Sequence, residues 1–214
     1  GATGSGHALP PACGSRGQTA MTPTPVQVKA AALGPADDTY PAILRERLGS
    51  DAPAQIRALG NLELLALPKT GLFCSVHCPG NAILTTYDQA ARWRDARRCV
   101  ISGFHSPVEK ECLRILLRGS PPIIICPART LPQRVPPEWR QPLVDGRLLI
   151  LSAFQAAEKR ITTELAIRRN EFVAALADEI WIAHITPGGQ MDRLTQRPWV
   201  KARVISGVGL GSND

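Results

Sequence analysis

The sequence contains no long apolar segment, no apparent leader and no disulfide-like cysteine spacing. No hydrophobic run approaches the roughly 20 residues of a membrane-spanning helix, and the chain does not open with a basic segment followed by an apolar one. Its six cysteines are dispersed, and Cys74, Cys99 and Cys126 lie in or beside apolar segments, where a free thiol packs as a small hydrophobic group. We therefore expect a cytoplasmic protein with reduced, buried cysteines and no contact with membranes.

Several catalytic signatures are also missing. The sequence has no GxxxxGK[ST] loop, no GxSxG turn and no HExxH pair, and His7, His77 and His184 have no evident partners. These absences argue against the common phosphate-loop, serine-hydrolase and zinc-protease chemistries. We therefore expect no catalytic residues, no cofactor and no metal.

The segment GLFCSVHCPGN, residues 71–81, is the strongest candidate for a metal or redox site because it holds two cysteines and a histidine. If residues 72–76 are extended, Cys74 and Cys78 are separated by about 13 Å at roughly 3.3 Å per residue. Two thiolates that share a zinc ion must each come within about 2.3 Å of it. The preferred interpretation is a strand that places Cys74 in the core, followed by a strand-to-helix loop at His77, Cys78 and Pro79.

The composition is that of a globular protein with a basic surface. A hydrophobic content of 44% in 214 residues is enough for one domain with a substantial core. The net charge of +7 and the isoelectric point of about 9.4 favour an anionic partner, either a nucleic acid or a phosphate-bearing ligand.

The chain changes character along its length. Residues 1–38 are rich in Gly, Ala, Pro, Ser and Thr and are expected to be disordered. Met21 is a candidate native start, which would make residues 1–20 an added or mis-assigned extension. The remaining predicted units are an N-terminal extension that packs on the core at 39–70, the main domain at 71–207 and a short tail at 208–214.

In the main domain, short apolar segments alternate with helical ones. The predicted strands are 72–76, 98–102, 122–126, 148–152, 179–184 and 200–206, and helical patterns lie between them. Because these segments are apolar throughout rather than alternating, they are typical of parallel strands buried on both faces. The pattern predicts an α/β fold with a Rossmann-like, doubly wound, mainly parallel sheet of about six strands and helices on both faces. Ligands of such sheets bind beyond the carboxyl ends of the strands.

The segment HSPVEKECL follows one predicted strand and begins a helix. Ser106 is a good N-cap, Pro107 suits the first helical position and Glu109 completes a capping box. The free N–H groups of this helix could instead receive a phosphate, with His105 as a further contact. The sequence leaves both interpretations open.

A second candidate segment is the helix at 162–177. If Leu165 and Phe172 face the core, Arg169 lies on the same stripe, four residues after the first and three before the second. A buried charge needs a partner, so Arg169 is expected to reach an anion or an acidic side chain. Asn170 beside it could hydrogen-bond a base or a ribose.

The loop TPGGQMDRL follows the predicted strand at 179–184. Gly188 and Gly189 would allow a phosphate to approach the backbone closely. An ordinary connecting loop is the alternative.

Five segments carry a resemblance to a known family: YPAIL (40–44), GNLELL (60–65), VISGF (100–104), PIIICPA (122–128) and RRNEFVAALADEIWIAH (168–184). In this order they resemble segments of the DNA-processing protein A (DprA/Smf) family. The resemblance implies a Rossmann-like core that binds single-stranded DNA, forms a homodimer and acts in recombination or transformation. It also implies that Ser102 and Gly103, which match the family's Ser-Gly pair, belong to the ligand site.

The sequence departs from the family pattern at two loops. His77, Cys78 and Pro79 replace the family's Gly-Ser-Arg, and Ser106 and Pro107 replace an arginine and a glycine of the second motif. The Pro-Gly-Gly loop is more distantly similar to the LOG phosphoribohydrolases of the lysine-decarboxylase-like family. The glutamate that this chemistry needs is replaced there by Leu194.

These observations predict a DprA-like protein that binds single-stranded DNA or a phosphate-bearing nucleotide. The expected ligand-binding residues are Ser102, Gly103, His105, Ser106, Arg169, Asn170, Gly188 and Gly189. The alternatives are a LOG-like nucleotide phosphoribohydrolase and a nucleotide-sensing module that signals through a partner.

Overall fold

A computed structural model describes residue 1 and residues 30–155 and 161–206. Most of the segment expected to be disordered, the candidate start at Met21 and the tail at 208–214 lie outside the described residues. No helix in the described part of the chain has the length and the apolar character that crossing a membrane requires.

One eight-stranded mixed sheet organises the described residues, in the order β1-β2-β6-β5-β4-β3-β7-β8. The strands are β1 Ala30–Leu33, β2 Ile56–Gly60, β3 Lys69–Phe73, β4 Cys99–Ser102, β5 Ile123–Ile125, β6 Leu148–Ser152, β7 Glu179–Ile182 and β8 Val204–Ser206. The six strands from β6 to β8 are parallel, whereas β2 pairs antiparallel with β6 and β1 antiparallel with β2. The prediction of a doubly wound, mainly parallel sheet is confirmed.

Helices lie between most of the successive strands. They are α1 Ile43–Leu48, α2 Gly80–Asp95, α3 Pro107–Leu117, α4 Pro137–Val144, α5 Thr163–Leu176, α6 Gln190–Thr195 and α7 Pro198–Lys201. Buried side chains form a core on each face of the sheet. Helices α1, α5, α6 and α7 cover one face, and α2, α3 and α4 cover the other. Two buried faces explain why most positions of the parallel strands are apolar.

The strand count of about six was too low. The two additional strands, β1 and β2, extend the sheet beyond β6, so residues 30–60 form part of the same sheet. The sequence at β2 (IRALG) alternates only partly and contains a glycine, so its apolar pattern is weak. Pairing with the exposed edge of β6 supplies the stability that local propensity does not.

Two predicted strand boundaries were also displaced. The strand expected at 72–76 is Lys69–Phe73. Its first residue, Lys69, can be buried because its Nζ donates hydrogen bonds to the carbonyls of Leu65 and Leu67 at 2.9 and 2.8 Å. At the carboxyl end of the chain, the predicted strand at 200–206 is shortened to Val204–Ser206 by helix α7.

The earlier end of β3 overturns the distance argument for Cys74 and Cys78. Because Cys74 lies after the strand, the chain turns back and the two thiols become neighbours. The pKa of Cys74 is raised by burial and by its proximity to Cys78. Within the described residues, no group of three or more His, Cys, Asp or Glu side chains could hold a metal ion.

Candidate functional site

A cavity of about 490 Å³ opens at the carboxyl ends of β4, β3 and β7. Its walls are the loop after β3, the start of α3, the first half of α5 and the turn that leads into α6. From β3 the chain adds β4, β5 and β6 one after another in one direction along the sheet. It then returns past β3 and adds β7 and β8 in the opposite direction. The cavity therefore lies where the strand order reverses, the usual ligand position in doubly wound sheets.

Arg169 is the central charged group of this cavity. Its side chain is only 5% exposed, and its Nε donates a 2.8 Å hydrogen bond to Oδ1 of Asn170. No described residue accepts a hydrogen bond from its two terminal nitrogens or forms an ion pair with it. Burial lowers the pKa of Arg169, and the nearby carboxylate of Glu109 partly opposes this effect. An arginine nevertheless stays protonated, so the cavity contains a charged guanidinium with unused donors, near the carboxylate of Glu109.

Helix α5 places this guanidinium in the cavity. Thr162 caps the helix by accepting a 3.2 Å hydrogen bond from the N–H of Leu165. Leu165 and Phe172 are buried, and Arg169 is buried on the same stripe, as the helical spacing predicted. The first residues of the helix, Thr162 and Thr163, line the same cavity. The positive end of the helix dipole therefore faces the ligand space as well.

Gly103 provides the surface on which the guanidinium rests. A Cβ atom at this position would lie 1.5 Å from Nη1 and 2.1 Å from Cζ of Arg169. Gly103 does not line the cavity, and neither does Ser102, whose Oγ accepts a 3.1 Å hydrogen bond from the N–H of Phe104. The structure places these two residues beneath the site rather than in contact with its interior.

The start of α3 is a complete capping box. Ser106 Oγ accepts from the N–H of Glu109 at 3.2 Å, and Glu109 Oε2 accepts from the N–H groups of Ser106 and His105 at 3.0 and 2.8 Å. The second carboxylate oxygen of Glu109 accepts from the N–H of Cys74 at 3.1 Å. These N–H groups are therefore already bonded, although His105 and Ser106 still line the cavity.

The glycine turn before α6 is also closed by internal bonds. The N–H of Gly188 donates to Oδ2 of Asp192 at 2.7 Å, and that of Gly189 donates to the carbonyl of Thr186 at 2.9 Å. Gly188 has a φ of 70°, which favours glycine, and it does not line the cavity, whereas Gly189 does. This geometry fits the connecting-loop interpretation more closely than a backbone phosphate site.

Of the eight expected ligand-binding residues, the structure brings five to the cavity: His105, Ser106, Arg169, Asn170 and Gly189. Sequence reasoning missed the first turn of α5 and His77, which line it too. The threonine before TELAIRRNEF is a recognisable N-cap and could have located this helix end at the sheet edge. His77 also had a signal, because it lies in the loop after a predicted strand and replaces the first residue of the family's Gly-Ser-Arg segment.

One family model and two solved structures match most of the chain. The family model described as DNA recombination-mediator protein A matches residues 31–188. The fold is similar to that of DNA processing protein A from Streptococcus pneumoniae, with a TM-score of 0.64 and 18% identity over 86% of this chain and 65% of that one. It is also similar to DNA processing protein A from Helicobacter pylori, with a TM-score of 0.61 and 18% identity over 86% of this chain and 84% of that one. No curated protein matches the chain significantly in sequence.

Proposed function

Because the chain belongs to the DNA recombination-mediator protein A family, we propose that it binds single-stranded DNA in the cavity around Arg169. The observation that carries this proposal is the buried guanidinium of Arg169. No described residue accepts a hydrogen bond from its two terminal nitrogens. A phosphodiester is the natural partner for such a group, because its two free oxygens match the planar fork of an arginine.

The surroundings of Arg169 favour a nucleotide over a simple anion. The hydrogen bond from Arg169 fixes the orientation of the Asn170 amide, so its NH₂ group points away from the guanidinium. This NH₂ group is available to a base carbonyl or a phosphate oxygen. The exposed apolar side chains of Val76 and Ile161 also line the cavity and suit the face of a base.

The relatives support the same ligand. The Helicobacter pylori protein binds single-stranded DNA, and it shares the fold of this chain. The chain spans only 65% of the length of the Streptococcus pneumoniae protein. The homodimer and the cytoplasmic location implied at the sequence level remain predictions, and light scattering in solution would test the first.

The phosphoribohydrolase alternative has less support. The carboxylate that lines the cavity is that of Glu109, and it is held by three backbone N–H groups. A carboxylate engaged in this way is a poor proton donor or nucleophile, because its oxygens are already used to stabilise the fold.

The test is a binding titration of a fluorescent thymidine decamer against the wild-type protein and Arg169→Ala. We expect the substitution to weaken binding about tenfold or more, as for the loss of charge-assisted hydrogen bonds in a buried site. Arg169→Lys should be intermediate, since it keeps the charge but not the fork. The affinity of the wild-type protein should fall with salt, with a slope of roughly −0.7 for each phosphate contacted.

Arg114→Ala is the matched control. This residue lies on the exposed side of α3, where it pairs with Glu111 at 2.8 Å, and its removal changes the net charge equally. If both variants bind DNA as tightly as the wild type, or if the wild type does not bind, the proposed site is wrong. Circular dichroism would show that each variant is folded.

A further inference from the structure

A second cavity, of about 220 Å³, lies beside the first, between α5 and α6. Three residues line both cavities: Asn170, Gln190 and Met191. The two spaces are therefore neighbours that meet along these side chains.

Helix α5 forms a wall of both cavities. At 100° per residue, Ala166, Arg169 and Asn170 lie on the face toward the first cavity, and Ile167 and Glu171 lie on the next face around the helix. Asn170 stands at the boundary between these faces. Along α5, the two cavities therefore adjoin at Asn170.

The second cavity combines an apolar floor with a basic rim. Met191 and Leu194 are 6% and 5% exposed, and together with Ile167 they provide the apolar surface. Two arginines and one glutamate complete the lining, which leaves a net charge of +1.

The two arginines differ in the interactions that they already make within the protein. Arg197 forms an ion pair with Glu171 and lies 6.0 Å from the ring of Trp199. Arg193 is exposed, and it donates from Nη2 to the carbonyl of Gly188 at 3.1 Å. Arg193 lines the second cavity and forms no ion pair with a described residue.

We propose that the bound DNA strand continues from the first cavity into the second. The nucleotide next to the one held at Arg169 places its base against Met191 and Leu194 and its phosphate at Arg193. Asn170 contacts the strand where it passes between the two cavities. This inference rests on the proposed function, and it predicts a binding unit of at least two nucleotides.

The test separates strand length from charge. A labelled thymidine decamer bound to the wild-type protein is displaced by thymidine 5′-monophosphate, by the 5′-phosphorylated dinucleotide or by an unlabelled decamer. The dinucleotide should compete clearly better than the mononucleotide. Arg193→Gln keeps a donor for the carbonyl of Gly188 but removes the charge, so the turn before α6 stays closed.

We expect Arg193→Gln to leave competition by the mononucleotide unchanged. It should weaken the dinucleotide and the decamer about threefold to fivefold, as for one exposed charge contact, and make the salt slope shallower by roughly 0.7. Arg169→Ala should weaken all three ligands, and Arg114→Ala none of them.

The outcomes distinguish this inference from the proposed function. If Arg193→Gln binds every ligand as the wild type does, or weakens the mononucleotide as much as the dinucleotide, the second subsite is wrong while DNA binding at Arg169 stands. If the mononucleotide and the dinucleotide compete equally in the wild type, the strand does not use the second cavity. If the wild-type protein binds no oligonucleotide, both proposals fall.

Discussion

Arg169 owes its position to two small features of its neighbours. A guanidinium that is only 5% exposed loses most of its hydration, and the hydrogen bond to Asn170 restores part of what is lost. The missing side chain of Gly103 leaves room for the planar group beside the strand end. An anion in the cavity would supply the remaining hydrogen bonds, which is why this residue carries the proposed function.

The contact with Gly103 makes a specific prediction. Gly103→Ala places a Cβ atom 1.5 Å from the present position of Nη1, so the guanidinium must move although no charge is removed. We expect the affinity for a thymidine decamer to fall about tenfold, close to the effect of Arg169→Ala. The measurement is a fluorescence anisotropy titration.

Gly80→Ala is the control for this substitution. A Cβ atom at Gly80, the first residue of α2, would meet nothing within 4 Å, so binding should not change. If Gly103→Ala binds the decamer with wild-type affinity, DNA binding does not require the present position of the Arg169 guanidinium.

At the scale of elements, the start of α3 ties two parts of the fold together. Its capping box satisfies the first turn of the helix, and Glu109 also accepts the N–H of Cys74 just after β3. Glu109 is 6% exposed, and its carboxylate takes the place that a bound anion occupies in helix N-terminal sites. The helix end is thus closed by the protein itself, and anion binding is left to Arg169.

The two members of the capping box should differ in their effect on stability. Ser106→Ala removes one cap and should lower the free energy of unfolding by about 1 kcal/mol. Glu109→Ala leaves three N–H groups without their acceptor, those of Cys74, His105 and Ser106. We expect it to cost about 3 kcal/mol, because buried donors without partners are expensive. Urea unfolding at neutral pH measures both.

Glu111→Ala serves as the comparison on the same helix. Its ion pair with Arg114 is exposed on the arginine side, so its removal should change the free energy of unfolding by less than about 1 kcal/mol. A cost for Glu109→Ala no larger than that for Ser106→Ala would mean that the link to Cys74 contributes nothing.

At the scale of the whole molecule, buried thiols occur in the cores on both faces of the sheet. Cys99 and Cys126 belong to one core and Cys112 to the other. Burial raises the pKa of each of these thiols to about 12 from a usual value of 9.0. The charged form is thus disfavoured only while the protein is folded, which couples the stability of the whole fold to alkaline pH.

Stability should therefore fall above pH 9. In that range the unfolded chain has lost the thiol protons that the folded protein still binds, so the free energy of unfolding decreases with pH until about pH 12. Each fully buried thiol contributes a slope of up to about 1.4 kcal/mol per pH unit. Cys126→Ala should make this slope shallower by that amount, as measured by urea unfolding from pH 7 to 10.5 with a reducing agent present.

The comparison of the wild type with Cys126→Ala contains its own control. Below pH 8 the thiols are protonated in both states, so the difference in stability between wild type and Cys126→Ala should be constant. Parallel curves above pH 9 would contradict the role assigned to Cys126.

The sequence by itself determined the features that depend on neighbouring residues. Apolar segments buried on both faces predicted the parallel sheet, the order Ser-Pro-x-Glu predicted the cap of α3, and the spacing from Leu165 to Phe172 predicted that Arg169 is buried. Each of these follows from a local period or a local hydrogen bond, and the chain can express such preferences within one element.

Only the tertiary structure decided which groups meet. Glu109 accepts the N–H of Cys74 across 35 residues of sequence, and Gly103 supports a guanidinium on a helix that follows two further strands. Tertiary structure also decided three other features: where β3 ends, how Cys78 approaches Cys74, and where the two cavities meet at Asn170. Such contacts join elements far apart in the chain, and their geometry follows from how the helices pack on the twisted sheet rather than from any local preference.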